Sequence, residues 1–234
     1  MAHILGLFPP TGLNTLLTPD EVRTAMGRNP DPDSYAWAQK RLGIDVARFG
    51  DDRTVIFPRQ GAVAYQPIII RQQRTDFITA RVLQAKRSFE SEVDFIDDTG
   101  HWGHGVVDGL LAAGQGARAV MFSDPAIDPR YGNRRSEMWF RLADWIKANG
   151  ALPNIPELIP ELTQPMYFFA PSGKLMLESK DQIKKRLGRS PDLADALALT
   201  HAWPDQPAAS LAGGMASLTA RRAVTDYDPH AGLG

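Results

Sequence analysis

The chain has 234 residues, 26 Lys+Arg against 27 Asp+Glu for a net charge of −1, 43% hydrophobic residues and no cysteine. That composition is globular and excludes collagen-like, coiled-coil and wholly disordered chains, disulfide frameworks, thiolate zinc sites and cysteine nucleophiles. Near-neutral charge argues against coating nucleic acid by bulk positive charge, yet it leaves room for a local basic track beside an acidic site.

No apolar run reaches the roughly 18–20 residues that span a membrane, and the absence of Cys fits a reducing compartment. Residues 1–40 read as a leading segment. The apolar stretch 4–8 is a short strand-like piece broken by Pro9-Pro10; it lacks a preceding basic region and is no signal peptide. Thr18-Pro19-Asp20-Glu21 marks a helix start with Thr18 at the N-cap, ending near Gly27, and 30–33 is a loop. The compact body begins near Arg41. Residues 42–47 alternate as a strand, 49–52 are turn chemistry, and 53–57 and 62–70 are further strands. Thr75–Phe89 has helical periodicity, Val93–Asp97 is a buried-type strand, and 99–105 is a Gly-rich loop. A helix over 106–113, a strand over 117–122 and an amphipathic helix over 133–149 follow, the last with Met138, Trp139, Leu142, Trp145 and Ile146 on its apolar side. Residues 166–170 and 174–178 form a hairpin around Pro171-Ser172-Gly173. Helices over 179–187 and 191–203 close the domain, and the tail 205–234 is expected to be mobile. Three antiparallel strands followed by strand–helix alternation predict an α/β fold: a mixed sheet with helices on both faces.

Three carboxylates stand out. Asp45 interrupts an apolar strand between small same-face neighbours, Gly43 and Ala47, which leaves space over it. Either it faces water at an edge or makes a structural hydrogen bond, or it binds a cation, because a buried unpaired carboxylate is costly. Asp97 ends a strand, where sites gather in α/β sheets, although Asp97 or Asp98 can equally cap the turn before Thr99-Gly100. Asp195 is the odd residue in an apolar helix. Asp192, one turn earlier on the same face, suits the helix dipole. Carboxylates of this kind suit Mg²⁺ or Mn²⁺, and two such ions can drive phosphoryl displacement. Basic residues cluster at Lys180, Lys184, Lys185, Arg186 and Arg189, at Arg130, Arg134 and Arg135, and at Arg48 and Arg53. Each group alone reads as a solvated face; around three acids they form a phosphate-backbone track. His101 and His104 read as loop residues rather than metal ligands. Ser172-Gly173-Lys174-Leu175 is not a phosphate loop, lacking the first glycine and the hydroxyl after Lys.

Four segments in order carry a resemblance: Gly43-Ile44-Asp45-Val46-Ala47-Arg48-Phe49-Gly50-Asp51-Asp52-Arg53-Thr54-Val55; Phe95-Ile96-Asp97-Asp98-Thr99-Gly100; Tyr131-Gly132-Asn133-Arg134-Arg135-Ser136-Glu137-Met138-Trp139; and Ser190-Pro191-Asp192-Leu193-Ala194-Asp195-Ala196-Leu197-Ala198-Leu199. Together they resemble the nuclease domain of the large terminase subunit of tailed bacteriophages, over about residues 5–203. The resemblance implies a ribonuclease H-like (retroviral integrase-type) fold and a metal-dependent endonuclease that cuts concatemeric double-stranded DNA. It also implies Asp45, Asp97 and Asp195 as ligands of two Mg²⁺ or Mn²⁺ ions. Asp192 is a weaker fourth ligand, and Asp98 the alternative to Asp97. Residues 1–40 then correspond to a connector from an N-terminal ATPase half, 41–204 to the nuclease and 205–234 to a tail. The implied partners are DNA, the ATPase domain, the portal, the small subunit and other large-subunit copies, in the host bacterial cytoplasm. Competing readings are a ribonuclease H-like junction resolvase, an actin-like ATPase and a non-cutting motor-docking module. The ATPase fold needs a second similar domain that 234 residues do not supply.

Overall fold

Thr18 caps the first helix, α1 (Pro19–Met26), through a capping box: its side chain accepts from the Glu21 N–H while the Glu21 carboxylate accepts from the Thr18 N–H. The computed structural model describes residues 14–47 and 52–209. The stretch 4–8, the turn residues 49–51 and the tail beyond 209 lie outside them. Within the stretch read as a loop, Asp31 caps a single helical turn, α2 (Pro32–Tyr35).

A six-stranded sheet follows, built from β1 (Lys40–Asp45), β2 (Arg53–Gln60), β3 (Val63–Ala64), β4 (Ile68–Arg71), β5 (Val93–Asp97) and β6 (Arg118–Val120). Its spatial order is β3-β2-β1-β5-β6, with β4 also paired to β2. β1 and β2 are antiparallel, whereas β1, β5 and β6 are parallel. The single strand expected over 62–70 is split. Arg59 faces Ala64 and Ile56 faces Ile68, so three residues, 65–67, oppose only Phe57 and Pro58. This is a one-residue bulge, placed where Pro58 has no N–H to give the ladder.

Helices cover both faces, as the element order predicted. On one side, α3 (Thr75–Phe89) and α4 (His104–Ala112) bury Ile78, Val82, Val106 and Leu110 against Leu42, Ile44, Ile56 and Ile96. On the other, α5 (Arg134–Ala148) and the last helix pack Met138, Trp139, Leu142, Leu193 and Leu197 against Val55, Phe57 and Phe95. A short helix the sequence did not announce, α6 (Leu158–Thr163), joins this layer with Pro160 in its first turn, where the missing N–H is harmless. Leu16, Leu17, Val22 and Ala25 belong to the same core, so the described part of the leading segment packs on the body. A separate hairpin, β7 (Tyr167–Phe169) and β8 (Leu175–Leu177), leads into α7 (Lys180–Leu187) and α8 (Asp192–Leu199). The last helix ends four residues earlier than the expected Trp203. Among the described residues no helix is long and apolar enough to cross a membrane.

A candidate metal centre at the strand ends

Alternation along β1 sends Leu42 and Ile44 into the α3/α4 layer and turns Gly43 and Asp45 toward α8. A Cβ on Gly43 would stand 1.9 Å from the Ala196 carbonyl oxygen, so α8 lies directly on the β1 backbone. The space expected beside Asp45 is therefore filled at Gly43 by helix backbone. This close approach brings the first turn of α8 alongside Asp45. β5 runs parallel to β1 with Gly43 opposite Phe95 and Ile44 opposite Ile96, so Asp45 and Asp97 end neighbouring strands on the same face.

These acids border a cleft of about 960 Å³ lined by Asp45, Asp97, Asp192 and Lys180, with Asp195 buried beside it. Lys180 Nζ stands between them, 2.9 Å from Asp45 Oδ2 and 3.5 Å from Asp195 Oδ2. It is the first residue of α7, where the helix dipole disfavours a cation; the carboxylates hold it there. Asp195 Oδ1 accepts from Trp139 Nε1 at 2.8 Å and from Arg135 Nη2 at 3.0 Å, while Oδ2 is buried without a hydrogen-bond partner among the described residues. Asp97 Oδ1 accepts the Thr99 N–H at 2.9 Å. Asp192 Oδ2 accepts the Arg53 N–H at 3.0 Å.

Burial pushes the Asp45 carboxyl well above its ordinary pKa. Lys180 opposes that, and Asp97, Asp195 and Asp192 add to it. Burial likewise raises Asp97 and Asp192 against the pull of Lys180. Burial also works against the Asp195 charge, but Arg135, Lys180 and the Trp139 hydrogen bond outweigh it and hold the pKa low. Burial disfavours the Lys180 ammonium, and the surrounding acids more than restore it. Among the described residues, four carboxylates therefore share too little positive charge. The donor set fits a hard divalent cation: oxygen ligands, one orphaned carboxylate oxygen, and an ammonium standing in for a metal ion.

The basic residues expected to form a DNA track separate into groups. Arg53 and Arg135 are buried, at 4% and 6% exposure, and are corrections to that expectation. Arg53 lies between Glu157 and Glu161, at 2.6 and 2.9 Å, and Arg135 is committed to Asp195 and the Glu178 carbonyl. Neither guanidinium can leave for a phosphate without stranding a buried acid. Arg134 pairs with Glu137 and lies over the Trp203 ring. Arg186 pairs with Glu178, and Arg189 with Glu157 and Glu161. Lys184 pairs with Asp52 on the cleft rim. Lys185 is exposed and in no salt bridge among the described residues. Arg48 lies outside the described residues.

Three supporting residues were not read from sequence. Trp139 was assigned only to an apolar side; its i,i+4 spacing from Arg135 places both on one face, aimed at Asp195. Lys180 was placed on a surface track. Glu161, buried in the unannounced α6, accepts the Leu193 and Ala194 N–H groups and so caps α8. Its one signal was a Glu inside an apolar run. Asp98, adjacent to Asp97, turns its Oδ2 to His104 Nδ1 at 3.3 Å and does not line the acidic cleft.

No protein-family profile matches this sequence, and no curated protein matches it. Solved structures do. The nuclease domain of the large terminase subunit of bacterial virus Sf6 aligns over 81% of this chain and 99% of its own, at 20% identity and a TM-score of 0.64. A mutant of that domain with manganese and beta-thujaplicinol aligns over 81% and 99%, at 19% identity and a TM-score of 0.64. The large terminase nuclease from thermophilic phage G20c with bound magnesium aligns over 81% and 97%, at 15% identity and a TM-score of 0.56. With its mixed sheet, its helices on both faces and this alignment over nearly the full length of each domain, the chain has the fold of phage large-terminase nuclease domains, an RNase H-like fold.

Proposed function

We propose that this chain is a divalent-metal-dependent endonuclease domain that hydrolyses the phosphodiester backbone of double-stranded DNA, as the nuclease part of a phage packaging terminase acting on concatemers. The observation that carries the reading is the convergence of Asp45, Asp97 and Asp192 on one cleft, with Asp195 buried beside it and cationic charge in deficit among the described residues. It stands on a fold whose solved examples include magnesium-bound and manganese-bound nuclease domains.

Asp45, Asp97 and Asp195 would hold two Mg²⁺ or Mn²⁺ ions, with Asp192 as a weaker fourth ligand. Bound there, such ions lower the pKa of an attacking water and stabilise the charge on the departing 3′-oxygen. The chain's own residues supply the rest. Arg135 and Trp139 fix Asp195 by one oxygen and leave Oδ2 turned toward Lys180. Arg53 fixes Asp192 through its own N–H. Lys180 favours the charged form of Asp45 against burial, and its ammonium can turn to a phosphate oxygen once another cation takes up the carboxylates. Lys184 on the cleft rim and the exposed Lys185 on the same helix would meet the backbone, which implies weak sequence preference and steep salt dependence.

Plasmid incubated with the protein and Mg²⁺ or Mn²⁺ tests the reading. The expected outcome is nicking and linearisation that require the ion and disappear with Asp45→Asn; undiminished cleavage by that variant sinks the assignment. Linear duplex, four-way junction and RNA–DNA hybrid run in parallel separate this function from a junction resolvase or a ribonuclease.

A further inference from the structure

The segment after β5 holds a second set of convergent donors that the acidic cleft does not use. Asp98, His101 and His104 each offer one ligand-type atom, and these atoms all lie within 4.8 Å of one another. Asp98 is 6% exposed, while both histidines are exposed. Asp98 Oδ2 faces His104 Nδ1 at 3.3 Å. Its other oxygen, Oδ1, is buried with no hydrogen-bond partner among the described residues. A buried carboxylate oxygen without a donor is costly, and a cation is the partner that removes the cost.

The surroundings fit a ligand role. His104 Nε2 lies 4.0 Å from Asp108 Oδ2, one turn along α4. A carboxylate behind the distal ring nitrogen is the usual means of orienting a metal-ligating imidazole. The His101 N–H donates to the Asp98 carbonyl at 2.9 Å, and the backbone there sits at φ +66°, which folds His101 back toward Asp98. A Cβ on Gly103 would stand 2.2 Å from the Asp97 carbonyl oxygen, so the stretch between the histidines is pressed onto the strand end.

We propose that Asp98, His101 and His104 bind one late first-row divalent cation of the Zn²⁺ or Co²⁺ type, in a site separate from the four-carboxylate cleft. Two imidazoles and one carboxylate are the donor set these borderline ions favour over Mg²⁺. Ligands at about 2.0–2.2 Å from a tetrahedral ion stand roughly 3.3–3.6 Å apart, so the exposed imidazoles need to move by about 1 Å. Adjacent residues at a strand end point to opposite faces, which keeps this ion off Asp97. Bound, it clips residues 98–104 against the end of β5 and keeps a fourth position open to water.

Co²⁺ titration of the full chain tests this without any cleavage assay, so it stands or falls apart from the nuclease reading. The titration is done on Asp45→Asn, to weaken the cleft, and on Asp45→Asn with His101→Ala and His104→Ala, followed by visible absorption and equilibrium dialysis. Both histidines are exposed, and circular dichroism checks that the triple variant is folded. The first protein should bind one Co²⁺ with the intense visible bands of a low-coordinate, imidazole-bound ion. The second should lose the bands, with affinity weakened at least tenfold. Equal spectra and stoichiometry in the two proteins, or only the weak bands of a six-coordinate oxygen site in the first, would overturn the proposal.

Discussion

β1 carries a buried charge at each end, and the two ends are treated differently. At its start, Arg41 gives Nη1 to the Thr200 and Trp203 carbonyls at 3.2 and 2.7 Å and Nη2 to the Pro204 carbonyl at 2.6 Å. Arg59 beside it bonds Thr200, the Gly61 carbonyl and Asp205. At its far end, Asp45 faces Lys180 and three other acids. α8 lies antiparallel to β1, with its carbonyl end over the arginines and its N–H end over the aspartates, so its dipole suits both. The guanidinium groups of the arginine end are nearly saturated with acceptors; among the described residues Arg41 Nε and His201 Nε2 are its buried nitrogens without a partner. Among the described residues, the aspartate end has more acceptors than donors. Saturation marks a charge cluster that holds the fold, and deficit marks one that waits for a ligand.

The comparison predicts opposite responses to the same kind of change. The largest effect is at the aspartate end: Asp45→Asn should reduce Mg²⁺-dependent cleavage to background. The same substitution should raise the urea midpoint of the metal-free protein. A carboxyl whose folded pKa lies above its unfolded one weakens the fold as pH rises past its ordinary value, and Asn removes that penalty. A lower midpoint would break the distinction between the two ends. At the arginine end, Arg59→Leu should cost about 3 kcal/mol, because it strands buried acceptors, with partly exposed Asp205 softening the loss. Urea denaturation measures both.

Divalent ions should sharpen the contrast. Mg²⁺ or Ca²⁺ at one hundred times its dissociation constant should stabilise the wild-type protein by about 2.7 kcal/mol. The gain should vanish in Asp45→Asn and survive a conservative Arg59→Lys change. The smallest effect lies at the arginine end. His201 is 6% exposed, and burial together with Arg59, Arg41 and Arg141 holds its pKa well below 6.5. It stays neutral in the fold and protonates in the unfolded chain, so its contribution is present above pH 6.5 and is lost as pH falls. His201→Gln should flatten the acid limb of the stability profile; an unchanged limb would place the titration elsewhere.

Some of this was legible in the residues. Thr75–Phe89 and Val93–Asp97 have the bounds their periodicity predicted, and the Thr18 cap formed as read. These are local signals, carried by neighbours a turn or a pleat apart. The split of 62–70 depended on what Pro58 could not donate to a partner strand. α6 was hidden among prolines, and its Glu161 gains meaning only by capping a helix more than thirty residues later. Among the acids, chain position marked Asp45, Asp97 and Asp195 as unusual, and the alternation of β5 favoured Asp97 over Asp98.

By itself, then, the sequence determined most of the longer elements, the mixed sheet and which carboxylates are out of place, because apolar period and odd polar residues are properties of short stretches. Only the tertiary structure decided what the cations do. Arg53 and Arg135 look like surface charge in the chain, and the fold buries them against acids 139 and 60 residues away. Lys180, read as part of a track, becomes the counter-ion of the cleft. Coulomb interaction and desolvation depend on distance and burial in space, and neither is written in the order of residues.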